Sequence, residues 1–220
     1  MGPESDFATD RAPVVAAEAD RAGLSQARRI LVLGSPGAGK TLLSACLSRQ
    51  FGLELLRLDD FFWKPGRVRL PTDEWRVLVA TLVSRSSWVM DGTYEASLDL
   101  RIPAADAIVY IQSSRWACLW RVVTRRLLSR WRPVDEASPG HALTSFFVRY
   151  VFRFPVATQP EVFRLIAQQW RGKPLMVVDG ARGVDRLIRR LEQGPPQAGS
   201  PKDAASAQGA PVDLRRNRHA

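Results

Sequence analysis

The chain has 220 residues, 45% of them hydrophobic, and a formal net charge of +10 at pH 7, which is apolar material for one α/β domain with a substantial core. It holds no run of roughly 18 apolar residues, which excludes a transmembrane helix. Two histidines and two cysteines, Cys46 and Cys118, have no metal or redox spacing, so the cysteines are expected to be ordinary buried thiols in a reducing cytoplasm.

In chain order, residues 1–27 are Ala-rich, acidic and without periodicity, and are expected to form a disordered extension. Their acidic start lacks the apolar stretch of a secretory leader. A strand at about 29–33 then runs into Gly34-Ser35-Pro36-Gly37-Ala38-Gly39-Lys40-Thr41, which fits G-x-x-x-x-G-K-[ST]. The glycines let successive N–H groups point into one concavity that cradles phosphate oxygens. Lys40 is placed to reach the β- and γ-phosphates and Thr41 to hold Mg²⁺, with the positive end of the following helix dipole behind them. That helix, at about 40–50, shows the spacing Leu42, Leu43, Cys46, Leu47. The motif alone arises by chance, but the strand before it and the helix after it predict a bound ATP or GTP.

A strand at about 53–58 runs into Asp59-Asp60, and one at about 87–91 ends in Asp91-Gly-Thr-Tyr94. Between them a helix at about 72–84 follows Pro71, with Thr72 as its expected cap. Further strands at about 107–111 and 175–178 alternate with helices at about 115–129, 143–153, 160–170 and 183–192. Strands separated by helices imply right-handed crossovers and a mainly parallel sheet covered on both faces. Ligands of such a sheet sit at the carboxyl ends of its strands. Aspartates are common in turns, yet acids after two strands beside a phosphate loop point to a shared site. Phosphoryl transfer needs Mg²⁺, an in-line acceptor and cations. Asp91 is the first candidate to organise a hydrated Mg²⁺, which takes one or two carboxylates. Asp59 and Asp60 are candidates to orient or deprotonate an acceptor hydroxyl or to add a metal contact.

The positive charge is not spread evenly. Residues 1–28 carry three Arg against five acids, and residues 194–220, a Pro/Gly/Ala/Ser-rich stretch expected to be a disordered tail, carry four basic residues against two acids. The whole excess therefore falls on residues 29–193, within a domain expected at 28–193. Residues 115–132 hold Arg115, Arg121, Arg125, Arg126, Arg130 and Arg132 with no acid, a block suited to phosphates. Trp116, Leu119, Trp120, Val123 and Leu127 form one expected apolar face, with Arg121 and Arg125 opposite and Arg115 and Arg126 at its edge. A solvated basic face is the bland account of such a helix. As a set, the arginines read as a lid over about 115–141 that closes on phosphates and excludes water.

The Gly34–Thr41 loop, Leu58-Asp59-Asp60 before Phe-Phe-Trp63-Lys-Pro-Gly66, Trp88-Val-Met-Asp91-Gly-Thr-Tyr94 and Arg115-Trp-Ala-Cys-Leu-Trp-Arg121 together resemble a bacterial P-loop family. It is related to adenylate kinases and often labelled DNA topology modulation proteins. The resemblance spans about 29–192. It implies a three-layer α/β/α P-loop fold with an adenylate-kinase-like five-stranded parallel sheet, an Arg-bearing helical lid, and ATP as phosphoryl donor. It also implies an adenine-side contact for Arg182, in the Asp179-Gly-Ala-Arg182 loop. The chain departs from the family pattern at Ala104, Gln112 and Ser114, where Arg, an acid and Pro are common.

The expectation is an ATP- and Mg²⁺-dependent phosphotransferase acting on a small acceptor. In it Gly34, Ser35, Pro36, Gly37, Ala38, Gly39, Lys40, Thr41 and Arg182 bind the nucleotide, and Thr41 and Asp91 serve the metal. Lys40, Asp59, Asp91, Arg121, Arg125 and Arg126 carry the chemistry. The rival is a nucleic-acid-associated P-loop ATPase, favoured by the basic core and by Trp116, Trp120 and Trp131 among arginines. A GTPase is disfavoured by the lack of an Asn-Lys-x-Asp motif. Phe61-Phe62-Trp63 reads as an acceptor pocket or as core, and Phe146 to Phe154 as core or a helix-docking face.

Overall fold

The structure is a computed structural model that describes residues 20–64, 68–129, 144–170 and 173–193. Strands β1 (Arg29–Gly34), β5 (Trp88–Asp91), β6 (Ala107–Gln112) and β7 (Leu175–Asp179) are almost wholly apolar and almost wholly buried. That is the pattern of strands covered on both faces. With β2 (Leu55–Arg57) they form a parallel sheet in the order β2-β5-β1-β6-β7, so β1 is central.

Successive side chains on a strand point to opposite faces, and the core divides accordingly. Ile30 and Val32 join a cluster with Leu43 and Leu47 of α2 (Lys40–Phe51), Cys118 of α6 (Arg115–Ser129) and Val184 and Leu191 of α8 (Gly180–Glu192). Leu31 and Leu33 join the other, with Trp75, Val79 and Leu82 of α4 (Thr72–Val83), Leu98 and Ile102 of α5 (Leu98–Ala104), and Val162 and Ile166 of α7 (Ser145–Gln169). Each face of the sheet thus has its own helical layer, giving the expected three-layer α/β/α architecture.

Several boundaries differ from the sequence expectation, each for a local reason. Part of the segment read as a disordered extension is helix α1 (Asp20–Gln26), held by Leu24, 1% exposed, and by Ala27 in the core. The extension's residues 1–19 and the tail 194–220 lie outside the described residues. Pro71, not Thr72, is the cap of α4, and no side-chain cap bond forms. The two helices expected at 143–153 and 160–170 are one, α7, which runs through Pro155 and Pro160. Each proline removes a backbone donor, but Val151, Phe154, Thr158, Val162 and Ile166 keep one buried stripe at helical spacing throughout. Burial of that stripe outweighs the lost bonds. Sequence reading also missed helix α3 (Leu58–Phe62), the two-stranded hairpin β3 (Trp63–Lys64) with β4 (Val68–Arg69), and α5.

Asp106, just before β6, ties that strand to β1. Its Oδ2 accepts the backbone N–H groups of Arg28 and Arg29 at 3.2 and 2.9 Å, and its Oδ1 accepts from the Arg29 guanidinium at 2.8 Å. Burial pushes the Asp106 carboxyl up, but the hydrogen bond and charge of Arg29 outweigh it, leaving the pKa below the ordinary value. A carboxyl lowered on folding stabilises the fold above its unfolded pKa, near 3.9, and loses that contribution as pH falls through the folded value. Asp106→Asn is therefore expected to cost up to about 1 kcal/mol at pH 7, with the wild-type and variant unfolding midpoints converging below about pH 4. A difference independent of pH in thermal melts contradicts this.

Candidate active site

The loop between β1 and α2 is built by absent side chains. Gly34 and Gly37 have φ of 142° and 80°, values L side chains rarely adopt. A Cβ on Gly34 would stand 2.6 Å from the Ile111 carbonyl oxygen, and one on Gly37 2.7 Å from that of Cys118. The loop is thus pressed between β6 and α6. Ala38 N–H donates to the Ser35 carbonyl at 3.1 Å, closing the turn. Lys40, the first residue of α2, folds back so that its Nζ donates to the same Ser35 oxygen at 3.0 Å.

Parallel register brings the second strand acid to this loop. Val32 of β1 pairs with Asp91 of β5, and Arg57 of β2 pairs with Asp91 from the other side. Asp91 is 7% exposed and accepts from the Thr41 hydroxyl at 2.8 Å. Burial pushes its carboxyl up, Lys40 and the Thr41 hydrogen bond pull it down, and Asp59 pushes it further up. Lys40 is the mirror case: burial lowers it, Asp91 and Asp59 raise it, and Arg125 adds a further lowering. Lys40, Thr41, Asp91 and Asp59 therefore share one electrostatic site at the carboxyl end of the sheet.

Asp59 and Asp60 lie on α3 rather than in a loop, and both are exposed. The Tyr94 hydroxyl donates to Asp59 Oδ1. Asp60 is pushed up by burial, with Arg57 opposing. Behind Asp59, Phe62 packs on Trp75, Tyr94 and Trp63 at ring separations of 5.0, 4.6 and 5.1 Å. The Phe61-Phe62-Trp63 run is half-buried and links the site to the core beneath it.

Two residues that sequence reading passed over hold this region. The Thr93 hydroxyl accepts from Gly34 N–H at 3.2 Å and donates to the Gly34 carbonyl at 2.8 Å, clamping the start of the phosphate loop. Arg101 of α5 is fully buried and donates to the carbonyls of Gly92 at 2.7 Å, Tyr94 at 2.7 Å, Ser97 at 3.3 Å and Thr93. Thr93 had one visible signal, its place just after the strand acid. Arg101 had none, since a lone arginine in a short helix reads as surface.

Helix α6 is rotated from the expected orientation. Cys118 and Val122 face the phosphate loop and are buried; of the expected apolar stripe, Leu119 and Val123 are half-buried, Leu119 against the core, while Trp116, Trp120 and Leu127 are 69%, 71% and 55% exposed. The reason lies in Gly37: its bare backbone leaves room for Cys118 and Val122 to seat on the loop. Arg121, one residue from Val122, thereby reaches the loop and donates to the Gly37 carbonyl at 3.0 Å. Arg125, one turn on, is exposed yet close enough to act on Lys40, and Arg126 is exposed beside it. Trp116 rests edge-on against Phe152 of α7 at 5.4 Å, and Arg115 sits over the same ring at 4.9 Å. The expected lid's residues 130–141 lie outside the described residues. Of the Phe146–Phe154 aromatics, Phe154 is core, Phe146 is 69% exposed, and the Tyr150 hydroxyl donates to Glu95 at 3.1 Å.

Arg182 stands in the first turn of α8 instead of a loop, because the helix begins at Gly180. It shares an open groove of about 920 Å³ with Arg121, Asp179, Arg186 and Arg189. That groove adjoins the phosphate loop through Arg121. Among the described residues no three His, Cys, Asp or Glu cluster into a metal cage. The Thr41 hydroxyl with Asp91 does fit a Mg²⁺ that keeps waters and phosphate oxygens as its other ligands, and the bare Gly34–Gly39 backbone fits a phosphate chain.

Strand order, helical layers and loop geometry define a P-loop α/β/α protein with an adenylate-kinase-like five-stranded parallel sheet. No protein-family model matches the chain, and no curated protein matches it. Among solved structures, the chain is similar to a gluconokinase from Sinorhizobium meliloti 1021 (19% identity, 74% of this chain and 95% of that one, TM-score 0.44). It is also similar to shikimate kinase from Acinetobacter baumannii in complex with shikimate (18%, 79% and 95%, TM-score 0.46). A third is deoxyadenosine kinase from M. mycoides with bound dCTP (14%, 75% and 99%, TM-score 0.38).

Proposed function

We propose that the chain is an ATP-dependent phosphotransferase that moves the γ-phosphoryl group of ATP to a small hydroxyl-bearing acceptor. One observation carries the reading: Lys40, the Thr41–Asp91 pair and Arg121 converge on the Gly34–Thr41 loop, with Asp59 coupled to the same charges. The loop backbone from Gly34 to Gly39 would hold the phosphates, with Arg182 on the base side of the adjoining groove. Thr41 and Asp91 would hold a hydrated Mg²⁺, which when bound neutralises phosphate charge. Lys40, Arg121, Arg125 and Arg126 would stabilise the charge spreading over the transferred group. Asp59 would accept the proton of the acceptor hydroxyl. Helix α6, seated on Gly37, would shield the site from water.

Membership of the adenylate-kinase-related bacterial family belongs to this proposal and rests on the order of the four motifs. A cytoplasmic setting belongs to it too, supported by two buried free cysteines. No helix among the described residues is long and apolar enough to cross a membrane. ADP release from Mg·ATP is expected to require one member of a panel of nucleoside monophosphates, nucleosides, small hydroxy acids and antibiotics. ADP release that no small acceptor stimulates contradicts the phosphotransferase reading.

Exposure of Trp116 and Trp120 beside the arginines of α6 favours a second reading, a nucleic-acid-stimulated ATPase, since exposed aromatics among cations can stack on bases. Stimulation only by DNA, with affinity falling steeply as salt rises, would select it.

A further inference from the structure

Tyr94 is the only non-glycine described residue with positive φ, at φ 28° and ψ 76°. Glycine or asparagine takes such a conformation cheaply, whereas a bulky aromatic does so only when its surroundings impose it. The surroundings are visible. Arg101 donates to the carbonyls of Gly92, Thr93 and Tyr94 in succession and to that of Ser97 beyond them. All four of these guanidinium bonds go to main-chain carbonyls between Gly92 and Ser97. Gly92, at φ 135°, packs so closely that a Cβ there would stand 3.1 Å from Leu58 Cβ and 3.1 Å from the Tyr94 ring. The turn therefore lies directly against the start of α3, which carries Asp59. From it the Tyr94 hydroxyl reaches Asp59 Oδ1. Burial and the Asp59 carboxylate both push the phenol's pKa up, so it remains a donor.

We propose that Arg101 and Tyr94 form a positioning pair: Arg101 fixes the turn after β5 by its carbonyls, and Tyr94, held there in a strained conformation, orients the Asp59 carboxylate. The pair ties the acceptor-side acid on α3 to the strand that carries Asp91, two groups that otherwise sit on separate elements. Tyr94 adds a function that glycine at this position lacks, which accounts for a tyrosine where the backbone favours glycine. The proposal rests on the phosphotransferase reading for the role of Asp59, but the tether itself does not.

Tyr94→Phe tests it, because phenylalanine keeps the ring packing on Phe62 and Trp75 and removes only the hydroxyl. Amide hydrogen exchange across Leu58–Phe62 is expected to rise several-fold in this variant and to need no turnover for its measurement. With the active acceptor, kcat is expected to fall by about tenfold or more while KM for ATP stays within about twofold. In an Asp59→Asn background Tyr94→Phe is expected to add almost nothing, since the two side chains act as one unit. Arg101→Lys is expected to reproduce the exchange and kcat changes if it folds. Unchanged exchange at Leu58–Phe62, or effects of Tyr94→Phe and Asp59→Asn that multiply independently, overturns the proposal. If Lys40→Ala retains full turnover, the phosphotransferase reading fails instead, and the exchange result still decides whether the tether exists.

Discussion

Lys40→Ala is expected to remove acceptor-dependent ADP release while leaving the fold in place. Among the described residues the Lys40 ammonium makes one hydrogen bond, to the Ser35 carbonyl of its own loop, and lies in the field of Asp91 and Asp59. Losing that single bond costs the fold about 1 kcal/mol, and alanine is the best helix former for the first position of α2. The catalytic loss is of another order. Removing one preorganised charge-stabilising donor from a water-poor site typically costs about a hundredfold to a thousandfold in kcat. Burial lowers the Lys40 pKa, and the two aspartates oppose it, which is the arrangement of a cation held ready for an anionic ligand. Lys40→Arg is expected not to rescue, because the planar guanidinium does not replace a compact ammonium inside a tight loop. Turnover of Lys40→Ala within about tenfold of wild type, with an unchanged melting profile, would falsify the mechanism.

How much of this was legible beforehand follows from where the forces act. The phosphate loop, β1, β5, β6 and β7 were readable because local apolar runs and a spaced glycine motif determine them. Asp91 was readable for the same reason: it ends a buried strand, and parallel register delivers it to Thr41. The orientation of α6 was not. Its strongest sequence stripe, Trp116 to Leu127, suggested the packed face, yet the contact that decides the matter is with Gly37, far away in sequence. Small Cys118 and Val122 take that face, seated close against the Gly37 backbone, and they carry Arg121 to it. The continuity of α7 was hidden by two prolines whose local cost is overridden by a long buried stripe. Asp59 was found as an acid after a strand, but the tyrosine that orients it and the arginine behind that tyrosine are tertiary features with no local periodicity.

Arg101 is where the largest loss of stability is expected. Arg101→Met keeps the length and apolar stem of the side chain but leaves the carbonyls of Gly92, Thr93, Tyr94 and Ser97 without this donor, at a site that is 0% exposed. An unsatisfied buried polar group costs roughly 1–3 kcal/mol, though local relaxation and water entry prevent four such costs from adding in full. A net loss of about 3–5 kcal/mol is the expectation, or roughly 10 °C or more in Tm for a domain of this size. The cost of burying the cation acts in the other direction. Desolvation pulls the Arg101 pKa down to about 9, so the guanidinium is still charged at neutral pH, and an apolar replacement escapes that penalty. The hydrogen bonds decide the sign, because the strained turn at Tyr94 has to be held by something, and the carbonyls Arg101 leaves behind point into a packed interior. If thermal and denaturant unfolding place Arg101→Met within about 1 kcal/mol of wild type, the turn is held by packing against Leu58 and the aromatic cluster. In that case Arg101 is a replaceable buried cation, and Tyr94 orients Asp59 without its help.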